Sequence, residues 1–147
     1  MPNRRLTLKI ATPDELKVNE PVDMVIMRAD TGALGVLPGH EPRSLVLDYG
    51  VLRLFNEKRE RRIAVFGGIA EILDDEITIL TPEAYWPVDI DIRRAEADRE
   101  NAERRLREKQ DDMEIASDQV MLRRALVQIE VSSYTIVSDS EKLDNPL

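Results

Sequence analysis

Between Asp91 and Pro146 the chain contains neither glycine nor proline, whereas up to Pro87 these residues recur among stretches of alternating apolar and polar side chains. Glycine interrupts regular backbone through excess freedom, and proline through a fixed φ and a missing donor. Their distribution divides the chain into many short elements first and a few long ones afterwards. From Leu6 to about Leu80 the apolar period is two, as in strands with one face on a core. Leu6, Leu8 and Ile10 alternate with Thr7 and Lys9, and further short strands read at Val22–Met27, Val36-Leu37, Leu45–Leu47, Val51–Phe55, Ile63–Phe66, Ile69–Leu73 and Ile77–Leu80. Turn residues separate them at Gly39, Gly50, Asn56, Gly67-Gly68 and Asp74-Asp75. Many short strands at this spacing predict an antiparallel β-sandwich or flattened barrel.

Past Thr81-Pro82 the character changes, and the segment through Pro87, with the only Trp, reads as an ordered linker. Asp91–Gln110 is rich in Arg, Glu and Ala and predicts a helix whose apolar positions, Ile92, Ala95, Ala102 and Leu106, form a thin stripe. Glu100 with Arg104 and Glu103 with Arg107 are favourably oriented i,i+4 pairs, each contributing about 0.2–0.5 kcal/mol. Asp111 followed by Glu114 has capping-box spacing, so a second helix is expected from there to roughly Val131, with Ile115, Leu122, Leu126 and Ile129 as its apolar stripe. The expected domains are a sandwich over 1–86, an antiparallel two-helix hairpin over 87–136 and a flexible tail over 137–147. With no Gly or Pro in Lys109–Asp112, the junction permits a tight hairpin or one long helix, and both a permanently docked hairpin and a switch stay open.

Of 147 residues, 21 are basic and 29 acidic, a net charge of −8 that argues against nucleic-acid binding, which needs a surplus of cations. Zero cysteines exclude disulfides and thiol chemistry. No apolar run approaches the roughly 18–20 residues that span a bilayer. Arg4-Arg5 is followed by alternation and not by a signal peptide's apolar stretch, so a cytosolic compartment without membrane insertion is expected.

No phosphate-binding Gly-rich loop ending in Gly-Lys-Ser/Thr, nucleophile elbow or zincin helix is present. His40 reads as a hydrogen-bonded loop residue between Pro38 and Pro42, since one His with one nearby carboxylate is too poor a ligand set for zinc. Asp74-Asp75-Glu76 reads as a hairpin turn and not as a cation site. Lys58–Arg62 reads as a solvated hairpin tip and not as a docking patch. If the helices fold back about Asp111, Arg94 and Arg124 come within about a turn of each other along the axis. Such a pair would accept an anion, although Asp91, Glu96 or Glu130 would serve equally well as internal counter-charges.

Thr31–Pro42, with Gly32, Gly35, Leu37, Pro38, Gly39, His40 and Pro42, is similar to the signature G-x-x-G-x-L-P-G-H-x-P of one family, and Ile63–Ile72 is similar to its I-A-V-x-G-G-x-x-E-V strand pair. Over roughly Leu6–Val131 the chain resembles the epsilon subunit family of the bacterial F-type ATP synthase, called delta in mitochondria. The resemblance implies a β-sandwich of about ten strands that joins the gamma subunit to the membrane c-ring. It also implies a helical hairpin that either packs on the sandwich or extends along gamma to the alpha and beta subunits, where it inhibits ATP hydrolysis. Catalysis would belong to other subunits, and the chain would sit peripherally at the cytoplasmic face of the cell membrane. Several members bind ATP through I/L-D-x-x-R-A plus arginines on helix two. Ile90, Asp91, Arg94 and Ala95 match that motif and Arg124 aligns with the first helix-two arginine, while Gln128 replaces the second. Losing one charge-assisted phosphate contact removes about 1.5–3 kcal/mol, so the resemblance implies no required cofactor and at most a weak regulatory ATP site. A nucleotide-sensing module is the rival reading, and an unrelated enzyme is disfavoured for want of any triad, metal set or paired acids.

Overall fold

The computed structural model describes residues 4–108 and 111–144. They form two compact units, divided between Ala84 and Tyr85. The first holds strands β1 (Leu6–Ala11), β2 (Leu16–Val22), β3 (Met24–Ala29), β4 (Gly32–Val36), β5 (Arg43–Asn56), β6 (Arg59–Leu73) and β7 (Glu76–Leu80), and β8 (Ala84–Tyr85) lies at the division. The spatial order is β2-β1-β7-β6-β5-β3-β4, with β8 paired to β6. The expected β-sandwich is therefore present, with eight strands. Four of the expected short strands merge in pairs into the continuous β5 and β6, which pair from Arg43↔Ile72 to Asn56↔Arg59. Gly67 and Gly68 do not end β6 but bend it, with φ of +79° and +109°. A sheet closes over its own core when long strands bend in this way.

Three further details differ from the sequence reading. Leu16–Val22 is a strand that the reading missed, because it shows little alternation and carries Pro21. It is an edge strand, where proline is tolerated. Asp23 separates β2 from β3 where one strand was expected, its carboxylate accepting from Arg5 Nε at 3.0 Å and from the Glu57 N–H at 2.8 Å. The sheet is also mixed: β1 runs parallel to β7, with Leu8 opposite Ile77 and Ile10 opposite Ile79. β7 is the return of a hairpin from β6, and its free edge is satisfied by the distant β1, a pairing whose direction no local pattern encodes.

Leu6, Leu8 and Ile10 meet Ile72, Ile77 and Ile79 as fully buried side chains, together with Val25, Met27, Leu54 and Ile63. Burying each contributes about 1.5–3 kcal/mol relative to exposure. Two-residue turns close the β5–β6 and β6–β7 hairpins, with positive φ at Glu57-Lys58 and Asp74-Asp75. Positive φ at both central residues matches the right-handed twist of the flanking strands.

In the second unit a 3₁₀ turn (Pro87–Asp89) precedes α1 (Ile92–Arg107) and α2 (Asp112–Asp144). Asp91 caps α1, accepting from the Arg94 N–H at 3.2 Å, and Asp111 accepts from the Glu114 N–H at 2.8 Å. Arg104, Arg105 and Arg107 lie in the last turn of α1, where cations complement the helix dipole. α1 thus ends at Glu108, whose backbone is extended, and Lys109 and Gln110 of the expected junction lie outside the described residues. α2 passes Val131, its expected end, and continues to Asp144, so the expected tail overlaps the helix; Asn145–Leu147 lie outside the described residues.

Along the hairpin, buried small residues recur at intervals of seven, and on α2 Val127 and Val131 are buried beside them. Ala95 and Ala102 are buried on α1, and Asp118, Ala125 and Ser132 on α2. Of the stripe expected on α2, Ile115, Leu122 and Ile129 are only half-buried and Leu126 is 45% exposed. Small side chains occupy the line of closest approach because they let two backbones draw together, and larger apolar groups then flank them. The buried Asp118 is answered by Arg105 Nη1 at 3.6 Å.

Candidate functional site

The loop between β4 and β5 carries most of the signature residues. Gly32 and Gly35 lie in β4, with no neighbouring atom where a Cβ would stand. Leu37 is 57% exposed, although it is large and apolar. The His40 N–H donates to the Leu37 carbonyl at 3.1 Å, closing a turn across Pro38 and Gly39. Gly39 has φ +86°, which a side chain would strain. His40 Nδ1 lies 2.7 Å from the Glu41 carbonyl oxygen, a local loop role. Pro42 ends the loop just before β5.

What holds this loop to the sheet was not evident from the motif. Asp75, in the β6–β7 turn, accepts the Gly39 N–H on Oδ1 at 2.7 Å and Arg4 Nε on Oδ2 at 2.6 Å. Its own carbonyl accepts from the Thr7 N–H at 2.9 Å. The Gly39 N–H, and then the Arg4 guanidinium, hold the Asp75 carboxyl below the ordinary aspartate range, because both favour its charged form. Asp74-Asp75 reads from sequence as a turn, and it is one. The clamp joins three segments far apart in the chain, so no local signal announces it.

A second surface lies on the outer face of β5, β6 and β7. Val46 pairs with Ile69, and Ile69 with Leu80, giving one apolar row across three strands. These residues are 54%, 55% and 51% exposed and line a shallow groove of about 270 Å³. The next row outward-facing is Ser44, Glu71 and Thr78, so the groove has a polar rim. In the Lys58–Arg62 tip, Arg62 meets Glu60, which also pairs with Arg53, and Arg61 meets Glu20 at 2.7 Å.

On the helices, the nucleotide-motif residues have structural tasks. Asp91 is the cap of α1, Ala95 lies in the buried seam, Ile90 is half-buried and Arg94 is exposed. The Arg124 guanidinium lies 6.0 Å from the centre of the Tyr85 ring, near the limit of cation–π contact. Among the described residues no group of three or more His, Asp or Glu is placed to hold a metal ion, and no helix is long and apolar enough to cross a membrane.

A solvent-facing apolar row and a braced loop are features of an interaction module. Residues 5–87 match the family described as ATP synthase, Delta/Epsilon chain, beta-sandwich domain, and residues 89–133 match its long alpha-helix domain. The ATP synthase epsilon chain of Syntrophobacter fumaroxidans is 40% identical over 131 residues, spanning 89% of this chain and 98% of that one. That of Bacillus licheniformis is 36% identical over 129 residues, 88% and 98% of the two chains. Among solved structures, a chain of the Euglena gracilis mitochondrial ATP synthase, in an OSCP/F1/c-ring assembly, superposes with a TM-score of 0.77 at 26% identity, covering 88% of this chain and 82% of that one. A chain of the Tetrahymena thermophila central stalk and c-ring shares the fold at 10% identity and a TM-score of 0.63, with 90% and 99% covered. On these matches, which run through both units, the chain belongs to the delta/epsilon family of ATP synthase subunits.

Proposed function

We propose that this chain is a non-catalytic rotor subunit, joining the gamma subunit to the c-ring so that proton flow through the ring is coupled to ATP synthesis. The observation that carries the reading is the Val46–Ile69–Leu80 row. Three large apolar side chains at half exposure on a rigid sheet are a cost in an isolated protein and a gain in a complex. A hydrogen-bonded sheet is also stiff, as a torque coupling must be. In this reading the row faces the gamma subunit, the Leu37–Pro42 loop completes the interface, and the protein sits peripherally at the cytoplasmic face of the cell membrane.

The helical hairpin is the regulatory part, able to extend along gamma towards the alpha and beta subunits and restrain ATP hydrolysis. The buried apolar residues of the hairpin support this in part, since among the described residues on α1 they are only Ala95 and Ala102 and on α2 only Ala125, Val127 and Val131, a modest area to lose when such helices separate. Binding of ATP on the hairpin is a second reading, favoured by the match at Ile90, Asp91, Arg94 and Ala95 with Arg124. Titrating the chain with ATP and Mg²⁺ tests it, and absence of heat at millimolar ATP would remove the sensor while leaving the rotor.

The decisive experiment for the rotor reading is Ile69→Asp. The side chain faces outward, so the fold should keep its melting temperature, while co-purification with the gamma subunit should be lost. Undiminished recovery of gamma with this variant would overturn the placement.

A further inference from the structure

The carboxylate of Asp75 has a place in the fold that the family signature does not explain. Gly39 is the tightest point of the loop, with φ +86°, and its N–H points at Asp75 Oδ1. The other carboxylate oxygen is engaged by Arg4, whose guanidinium also lies against Gly39: a Cβ there would stand 3.3 Å from Arg4 Nη1. Asp75 is itself immobilised, being the second residue of a two-residue turn whose carbonyl accepts from Thr7 in β1. Among the described residues, the other hydrogen bonds of the loop, His40 to Leu37 and His40 to Glu41, are internal to it. They fix its shape but not its position on the sheet.

We propose that Asp75 is a positioning residue for the Leu37–Pro42 loop, holding Gly39 so that the exposed Leu37 is presented to the gamma subunit in one arrangement. This rests on the reading of the loop as an interface. A loop tied at one charged acceptor loses few states on binding, and removing the tie returns that entropy as a cost of association. The effect belongs in affinity more than in stability, since the clamp is exposed and its ion pair is screened by solvent.

The test compares the parent chain with Asp75→Gly and Asp75→Asn. Glycine suits the turn's φ of +61° and removes the whole side chain, carboxylate included. Asparagine keeps an oxygen to accept from Gly39 but gives up the charge. Amide hydrogen exchange at Gly39 and His40, and affinity for the isolated gamma subunit of the same complex, are measured on each. The expected result is faster exchange at Gly39 in Asp75→Gly with an affinity about tenfold weaker, at an unchanged melting temperature, and with Asp75→Asn between the two. Unchanged Gly39 exchange, or equal affinity of Asp75→Gly and the parent, would overturn the proposal. Leu37→Asp separates this failure from that of its premise: if that variant also binds gamma as the parent does, the loop is not an interface at all.

Discussion

Among single residues, Gly68 shows most sharply how two strands constrain one position. A Cβ there would stand 2.1 Å from the Leu80 carbonyl oxygen and 2.9 Å from Thr81 Cα, both backbone atoms, and φ is +109°. Neither the conformation nor the space admits a side chain. Gly68→Ala should therefore destabilise the sandwich by about 3 kcal/mol, read as a lower denaturation midpoint, whereas Gly35→Ala, with open space around it, should be nearly neutral. The sequence reading marked Gly67-Gly68 as a break, and it is one in curvature though not in pairing. Asp75 shows the opposite case, since a turn former by composition proves to be an anchor only because Arg4 and Gly39 arrive beside it.

Individual elements were legible where period and punctuation agreed. β1, the two positive-φ hairpin turns and the cap at Asp111 follow from their own residues. β2 was not, because an edge strand with Pro21 needs no alternation to be held by its neighbour. The helices were placed correctly at their start, and Ala95 and Ala102 of the expected α1 stripe are buried, but α2 was misjudged along its contact, since ranking by apolar size selects Leu126, which is exposed, over Ala125, which is buried. From that seam follows a prediction: Ala102→Leu, at a position with no exposed surface, should overpack the hairpin and cost about 1–3 kcal/mol. It should be seen as earlier thermal loss of helical circular dichroism, with the sheet signal retained. Parent-like melting of the helices would show that the seam is not close-packed.

The whole molecule is two units, each with its own interior, and that division supports a division of labour. The sandwich core from Leu6 to Ile79 is made by its own strands. Deleting Asp91–Leu147 should leave a folded sandwich that still binds the gamma subunit and supports proton-coupled ATP synthesis. ATP hydrolysis by the assembled enzyme should rise or stay level. A strongly uncoupled enzyme would contradict the assignment of coupling to the sandwich and regulation to the hairpin.

Sequence by itself determined the order of the architecture, strands then helices, because both period and punctuation are local properties that each segment carries alone. It also supplied the signature loop, since Pro38 and Pro42 fix their own φ and Gly39 admits the positive φ that the turn needs. Tertiary structure alone decided the parallel pairing of β1 with β7, the merging of strands into β5 and β6, the Val46–Ile69–Leu80 row and the Asp75 clamp. Each of these depends on separate segments of the chain coming together, and the free energy of such contacts depends on where the rest of the chain has already gone.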